Sequence, residues 1–196
     1  MIRVASGFAA RGIRVATFNF PYKEEGRKLP DPGAVLEDAF RSAWEAVARE
    51  RSGLLFAGGK SMGGRIASQV AARDGFTPAP AGLIFFGYPL HPPGKPAQRR
   101  DRHLPNITTP MLFLGGTRDP FGSPEELQAL VAGLPTATLQ LTEGGDHSLA
   151  VSKKQDPAGA SLERAIDVAV AWIHARVASQ SPAARRKASV HSWPPA

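Results

Sequence analysis

A serine between two glycines is the first feature of this sequence that could carry chemistry. Ser61 lies in the run GKSMG at residues 59–63, which fits the pattern G-x-S-x-G. An apolar segment precedes it at residues 54–57, and a segment with helical character follows it at residues 65–73. A sharp turn from strand to helix exposes a serine hydroxyl and places the next backbone amide, that of Met62, beside it. We therefore predict a nucleophilic serine next to an amide that can bind an oxyanion.

The two glycines of the pattern have a steric explanation. Gly59 and Gly63 stand two residues on either side of Ser61. A serine at the apex of such a turn is held in a strained backbone conformation, and larger side chains on either side would collide as the helix folds back over the strand. We expect both glycines to be needed for the turn.

A phosphate-binding P-loop is the main alternative interpretation of this segment, because residues 59–61 read G-K-S. The P-loop motif requires a further glycine five residues before Gly59, and that position is Leu54. Without a loop of backbone amides to surround the phosphates, the sequence disfavours a nucleotide site here.

A nucleophilic serine needs a base to take its proton, and the base needs a carboxylate to hold its tautomer. In a parallel sheet, such groups gather at the carboxyl ends of the strands. Asp119 follows a predicted strand at residues 111–115, and His147 follows another at residues 137–141. The order Ser61, Asp119, His147 is the chain order of α/β-hydrolases. This combination is a more specific signal than the G-x-S-x-G pattern alone.

Other residues compete for these roles. Of the remaining histidines, His103, His174 and His191 are expected to be solvated or capping residues, and His91 precedes Asp119, which breaks the order. Asp146 adjoins His147, and because neighbouring side chains diverge we expect it to be a poor partner for the imidazole.

Several residues close to these positions are candidates for substrate binding. Arg65 and Arg118 flank the predicted site in sequence, and each is either a solvated or ion-paired residue or an anchor for an anionic group of the substrate. The full set of candidates is Lys60, Arg65, Tyr88, His91 and Arg118.

Strands that alternate with helices must position these residues. We predict strands at 13–20, 54–57, 81–87, 111–115 and 137–141, and helices at 1–11, 35–49, 65–73, 124–134 and 162–177. The continuous apolar run at 81–87 is typical of a strand covered on both faces. The alternation predicts an α/β fold with a mainly parallel sheet between two layers of helices.

The composition is that of one globular domain. The chain has 196 residues, 42% apolar and 21% charged, and no cysteine, which excludes disulfides and thiolate metal sites. The longest apolar stretch is too short to cross a membrane, and the start of the chain does not read as a signal peptide. We expect a cytoplasmic protein that acts without a cofactor, metal or membrane.

The net charge of +7 raises the question of nucleic-acid binding. Three of the basic residues lie in segment 180–196, which has no acidic residue, and most of the others are scattered. A nucleic-acid-binding protein would show a basic stripe or a platform of aromatic and basic residues. We therefore expect no nucleic-acid partner, and we divide the chain into a domain at 1–179 and a disordered basic tail at 180–196.

Five blocks of the sequence together resemble a known family. They are RGIRV with FPY at residues 11–22, GGKSMGGRIAS, GYPLHPPGKP, GTRDPFG and GGDHS. They look like the α/β-hydrolase-like family of small bacterial proteins, which includes domains of testis-expressed protein thirty and of a regulatory subunit of the NSL histone acetyltransferase complex. The resemblance extends to about Ser152. It implies that Ser61 is the nucleophile, Asp119 the acid and His147 the base.

The sequence departs from that family at its start. Members begin with a strand and a His-Gly type of turn that supplies a second oxyanion amide, whereas this sequence starts inside the helix that follows. We therefore expect the domain to be N-terminally incomplete and the sheet to lack its usual first strand or strands.

Two functions remain open at this point. The first is a serine hydrolase that cleaves an ester, thioester or amide of a small molecule through an acyl-enzyme, with an open pocket and no cap domain. The alternative is a catalytically impaired α/β-hydrolase-like domain that serves in binding, which the missing oxyanion turn would favour.

Overall fold

A computed structural model describes residues 1–180. The strands are β1 (Phe56–Lys60), β2 (Gly82–Phe86), β3 (Met111–Gly116) and β4 (Ala137–Thr142). The helices are α1 (Ile2–Ala10), α2 (Pro21–Glu24), α3 (Gly33–Glu50), α4 (Met62–Ala71), α5 (Pro124–Ala132) and α6 (Ser161–Ser179), with a 3₁₀ turn at Leu104–Asn106.

The four strands form one parallel sheet in the order β1-β2-β3-β4. In its register, Gly59 lies opposite Phe85, and Phe85 lies opposite Phe113. All strands point the same way, so the segments that follow them emerge at one edge of the sheet. That edge is where the predicted site residues must meet.

Helices cover both faces of the sheet, as the apolar runs predict. Alternate residues of β2 and β3 point to opposite faces because the side-chain period of a strand is two. Phe85 and Phe113 pack with α3 and α4 on one face. Ile84 and Leu112 pack with α1 and α6 on the other. The predicted three-layer α/β architecture is confirmed, and residues 1–180 include no separate cap domain between β2 and β3.

The strand predicted at residues 13–20 does not form. This segment has no regular structure and is mostly exposed. The β-branched and aromatic residues there favour a strand only where a neighbour can pair with it, and among the described residues β1 is the edge of the sheet. The segment is held by side chains instead, with the ring of Phe18 5.2 Å from that of Phe40.

The boundaries of β1 also differ from those predicted. The strand begins at Phe56, two residues later than expected, and includes both glycines that were assigned to the turn. Gly58 lies against Ile84 of β2 so closely that a side chain there would meet the Ile84 carbonyl oxygen. The absence of a side chain at Gly58 therefore allows β1 to pair with β2.

Two further predictions concern the limits of the chain and the membrane. The tail predicted at 180–196 lies outside the described residues except for Gln180. None of the helices within residues 1–180 is both long enough and apolar enough to cross a bilayer.

Phe113 offers a test of the core. Its side chain is fully buried and its ring lies 4.9 Å from that of Phe85. Phe113→Ala should lower the free energy of unfolding by about 3–5 kcal/mol, because it removes apolar contacts and leaves a cavity. Leu29→Ala is the control, since Leu29 is 80% exposed, and should change it by less than about 0.5 kcal/mol. Urea unfolding of both variants measures the difference, and similar losses would contradict this description of the core.

Candidate active site

Ser61 lies at the apex of a sharp turn between β1 and α4. Its backbone has φ 52° and ψ −121°, a region that residues with a side chain rarely occupy. The Ser61 amide donates to the Phe86 carbonyl oxygen at 3.0 Å, and its own carbonyl oxygen accepts from the Arg65 amide at 3.1 Å. The strained conformation is thus fixed on one side by β2 and on the other by the first turn of α4.

The glycines around Ser61 have different roles from those predicted. A Cβ at Gly59 would lie 2.8 Å from the Gly63 carbonyl carbon, which explains Gly59. A Cβ at Gly63 would meet nothing within 4 Å, so the steric argument for Gly63 is wrong. The close approach is at Gly64, where a Cβ would lie 2.8 Å from the Gly59 carbonyl oxygen. The second glycine of the adjacent pair is the one that lets α4 pack on β1.

Ser61, His147 and Asp119 form a continuous chain of hydrogen bonds. His147 Nε2 lies 2.8 Å from Ser61 Oγ, and His147 Nδ1 lies 2.8 Å from Asp119 Oδ2. An ionised carboxylate can only accept a hydrogen bond, so Nδ1–H donates to Asp119. Nε2 is then free to accept the hydroxyl proton of Ser61. The structure therefore brings together the three residues that the sequence singled out.

The Asp119 carboxylate and the His147 ring are each held by a neighbour. The second carboxylate oxygen, Oδ1, accepts from the Phe121 amide at 2.9 Å. The Phe121 ring lies against the imidazole, with centroids 4.2 Å apart and planes inclined by 30°. Sequence reasoning missed Phe121, although it stands in the GTRDPFG block two residues after Asp119.

Two glycines allow the loop that carries His147 to approach the sheet. A Cβ at Gly87, after β2, would lie 2.5 Å from the His147 carbonyl oxygen. A Cβ at Gly116, at the end of β3, would lie 2.3 Å from the Gly145 carbonyl oxygen. Side chains at either position would push the histidine loop away from Ser61.

Asp146 contributes to the shape of this loop. Its Oδ1 accepts from the Ser148 amide at 2.7 Å and from the Ala150 amide at 3.0 Å. Among the described residues, the carboxylate bonded to His147 is that of Asp119. This is the arrangement expected from the divergence of adjacent side chains.

The Met62 amide is available at the start of α4. The first amides of a helix have no partner within it and carry its partial positive charge. No acceptor bonds to the Met62 amide within residues 1–180. A negatively charged oxygen beside Ser61 could take that position.

A cavity of about 330 Å³ opens beside Ser61, and we call it the Ser61 cavity. Its wall includes Asp31, Ser61, Met62, Arg65, Pro89 and Arg100. A larger and more open depression of about 500 Å³ lies between α5 and β4, and none of the predicted site residues lines it. The chemistry and the Ser61 cavity therefore coincide.

The predicted substrate-binding residues do not all lie at the Ser61 cavity. Arg65 lines the Ser61 cavity. Lys60 Nζ donates to Ser148 Oγ at 2.6 Å, at the side of the histidine loop. Arg118 is exposed and does not line the cavity.

Tyr88 and His91 are buried away from the cavity wall and have protein partners. His91 bonds to the Pro92 carbonyl oxygen at 2.8 Å and to Glu126 at 3.0 Å. These contacts raise the pKa of His91, the Pro92 hydrogen bond most strongly. Both residues hold the loop after β2 and are not placed to touch a ligand in the Ser61 cavity.

A polar cluster behind the cavity was also missed. Ser68 Oγ lies 2.7 Å from His103 Nε2 and 3.1 Å from the Tyr88 hydroxyl. His103 was expected to be solvated or capping, but it is partly buried. Burial, and then the charge of Arg65, lowers the pKa of His103 to about 4. The sequence signal was weak, because a serine inside a helix and a histidine in a loop suggest no contact.

This lowered pKa predicts a pH dependence of stability. The unfolded chain takes up a proton at His103 near pH 6.5, whereas the folded chain does so only near pH 4. Since the unfolded state binds more protons between these values, the free energy of unfolding falls as the pH falls through this window. One such proton contributes at most about 1.4 kcal/mol per pH unit. When the free energy of unfolding is measured with urea between pH 7 and 4, it should fall less steeply for His103→Gln than for the unsubstituted chain. Parallel pH profiles of the two free energies would contradict a buried neutral histidine.

Comparison with known proteins gives the family of the chain. A family model described as an alpha/beta hydrolase domain matches residues 1–177. An Agrobacterium tumefaciens protein of unknown function, described as an α/β hydrolase, is similar at 19% identity with a TM-score of 0.67, over 91% of this chain and 77% of that chain. A serine hydrolase homologue from Coxiella burnetii is similar at 18% identity with a TM-score of 0.64, over 84% and 73%.

A lipolytic enzyme from a metagenome is also similar, at 20% identity with a TM-score of 0.56, over 89% of this chain and 87% of that chain. At such low identity these structures show a common fold and nothing narrower. The relation to the testis-expressed and NSL-complex domains stays a prediction. Because the family model spans nearly all the described residues, the chain belongs to the alpha/beta hydrolase family.

Proposed function

We propose that this protein is a serine hydrolase that cleaves an ester, thioester or amide of a small molecule through an acyl-enzyme on Ser61. The observation that carries the proposal is the hydrogen-bonded chain from Asp119 through His147 to Ser61, with both distances 2.8 Å. The esterase and lipase activities named for several proteins of the same fold are in keeping with it.

Acylation begins at the Ser61 hydroxyl. His147 Nε2 takes the hydroxyl proton as Oγ attacks the carbonyl carbon of the substrate. The resulting imidazolium is stabilised by the Asp119 carboxylate, which accepts from Nδ1–H. The carbonyl oxygen becomes an oxyanion and accepts from the Met62 amide. The bond to the leaving group then breaks, and the leaving group takes the proton from Nε2.

Deacylation repeats these steps with water. Water loses a proton to His147 Nε2 and attacks the carbonyl carbon of the acyl-enzyme. The bond from that carbon to Ser61 Oγ breaks, and Oγ recovers the proton from Nε2. The acid is released and the residues return to their starting protonation states.

The surroundings of the imidazole support this cycle. The buried Asp119 carboxylate stays in place because the Phe121 amide binds its second oxygen. The Phe121 ring limits the tilt of the imidazole. His147 can therefore face the Ser61 hydroxyl and the leaving group in turn without losing its orientation.

A covalent probe tests the nucleophile. A fluorophosphonate should label the unsubstituted chain and fail to label Ser61→Ala, because the probe traps an activated serine. Ser152→Ala is the control, since the Ser152 side chain is exposed and, within residues 1–180, its hydroxyl donates to the Gln155 side chain; this variant should label normally. Mass spectrometry of the labelled peptide identifies the serine.

Labelling that persists in Ser61→Ala would remove the assignment. If the unsubstituted chain is neither labelled nor active on short acyl esters, the alternative of a catalytically impaired binding domain is favoured.

Asp119→Asn tests the role of the carboxylate. An amide can donate to Nδ1 and so favour the wrong imidazole tautomer, and kcat should fall roughly 10³–10⁴-fold. Asp146→Asn is the matched control. Its side-chain oxygen can still accept from the Ser148 and Ala150 amides, so kcat should change by less than about tenfold. Hydrolysis of a chromogenic acetyl ester measures both, and equal effects in folded variants would contradict the pairing of Asp119 with His147.

A further inference from the structure

The Ser61 cavity contains two arginines that have no carboxylate partner among the residues that the structure describes. Arg65 and Arg100 both line it, and neither forms a salt bridge within residues 1–180. From this arrangement we infer that the cavity binds a carboxylate, and that the substrate is an ester or thioester of a small molecule with a free carboxylate elsewhere in it. The inference rests on the proposed function and narrows its substrate class.

The nearby carboxylates are committed to other arginines. Among residues 1–180, Asp31 is the acidic side chain in the cavity wall; it accepts from Arg27 at 2.6 Å and from the Tyr22 amide at 2.9 Å. Two carboxylates next in sequence to cavity residues are also paired: Glu37, which follows Leu36, with Arg73, and Asp101, which follows Arg100, with Arg99. Arg65 and Arg100 are therefore left as the cationic groups that an anionic ligand can neutralise.

Arg65 is an incompletely satisfied cation. Its Nε is buried and has no hydrogen-bond partner in the described part of the chain, and Nη1 has only a long contact of 3.4 Å to Gln69. Burial, and then the charge of Arg100, lowers the pKa of Arg65, although an arginine keeps its charge at neutral pH. Buried donors of this kind are normally paired. A carboxylate between the two guanidinium groups would accept from their Nη groups and relieve their repulsion.

The position of Arg65 sets the distance between the two ends of the substrate. Arg65 lies one helical turn after Ser61, and its amide donates to the Ser61 carbonyl oxygen. Four residues of an α-helix advance by about 6 Å, and the arginine side chain adds further reach. A carboxylate bound by Arg65 would thus lie a few bonds from a carbonyl at Ser61, as in the half-ester of a short dicarboxylic acid.

The single acidic residue in the wall favours a singly charged ligand. Asp31 keeps negative charge beside the cavity even though Arg27 neutralises much of it. A dianionic phosphate would be repelled by it more strongly than a carboxylate. The volume of about 330 Å³ is at the lower end of the range for small-molecule sites.

Matched esters test the inference. The 4-nitrophenyl half-ester of adipic acid carries a carboxylate, and the 4-nitrophenyl ester of adipamic acid carries a neutral carboxamide of the same shape. The unsubstituted enzyme should show a kcat/KM about ten- to a hundredfold higher for the carboxylate, as expected for a charge-assisted hydrogen bond. Arg65→Met and Arg100→Met should each reduce this preference by about tenfold or more, and Arg65→Lys should restore part of it.

Arg102→Met is the control. Arg102 lies in the same loop as Arg100 but is exposed and does not line the cavity. The substitution removes one positive charge without changing the cavity, so the preference for the carboxylate ester should be the same as in the unsubstituted enzyme. Equal losses in Arg102→Met and Arg65→Met would mean that the overall charge sets the preference, and would overturn the inference.

A second pair of esters identifies the side on which the carboxylate binds. In 4-acetoxybenzoate and 4-acetoxybenzamide the charge lies in the leaving group. If kcat/KM favours the carboxylate over the carboxamide only in the adipic acid pair, the carboxylate binds on the acyl side. If it does so only in the acetoxybenzoate pair, the carboxylate binds on the leaving-group side. Either result supports the inference. Absence of a preference in both pairs, with hydrolysis intact, overturns it and leaves the proposed function standing.

Direct binding separates this inference from the proposed function. Calorimetric titration of Ser61→Ala with adipic acid monoamide and with adipamide needs no catalysis. The monoamide should bind at least about tenfold more tightly, and the difference should disappear when Arg65→Met is added. If the unsubstituted chain hydrolyses no ester and no fluorophosphonate labels Ser61, the proposed function is wrong, and the titration still tests whether the cavity binds a carboxylate. Equal binding of the two ligands, or none, overturns the carboxylate site.

Discussion

The hydrogen bond between His147 and Asp119 is the interaction on which the candidate site depends. It fixes which ring nitrogen carries the proton, and so determines that the other nitrogen faces Ser61 as an acceptor. Neither residue lies in a strand or helix. Both lie in loops that follow neighbouring parallel strands, so the bond is only as precise as the sheet that ends beneath it. β3, which precedes Asp119, is buried along its whole length, and β4, which precedes His147, pairs with it over all six residues.

The loops reach one another because the chain lacks side chains where they cross. Gly87 and Gly116 lie in contact with the backbone of residues 145–147, at distances that a Cβ could not tolerate. Gly64 has the same effect between α4 and β1. These positions do no chemistry themselves, yet each brings a loop or helix close enough for a hydrogen bond of ordinary length to form. The geometry of the site therefore depends on these glycines as much as on the three side chains that form the hydrogen bonds.

The sequence was sufficient for the architecture and for the three residues that meet. Long apolar runs such as 81–87 predict buried strands, and the rule that ligands gather at the carboxyl ends of parallel strands then selects Asp119 and His147 without any coordinates. Chain order removed His91, whose side chain the structure shows bonded to Glu126.

The remaining features depend on contacts that no local pattern encodes. Residues 13–20 have the composition of a strand, but strand formation requires a neighbour with which to pair. The steric need falls on Gly64 and not on Gly63 because the helix axis is set by packing on β2, where Phe85 lies 3.2 Å from the Cβ position of Gly64. Ser68 and His103 are far apart in sequence and meet only when the loop after β2 folds over α4.

The positive φ of Ser61 has a consequence for the molecule as a whole. A side chain in that conformation costs of order 1–3 kcal/mol relative to a relaxed backbone, and glycine would adopt it at little cost. Position 61 is thus one at which selection for folding alone would favour a different amino acid. The protein gives up part of its thermodynamic stability to hold the Ser61 hydroxyl outward at the apex of the turn.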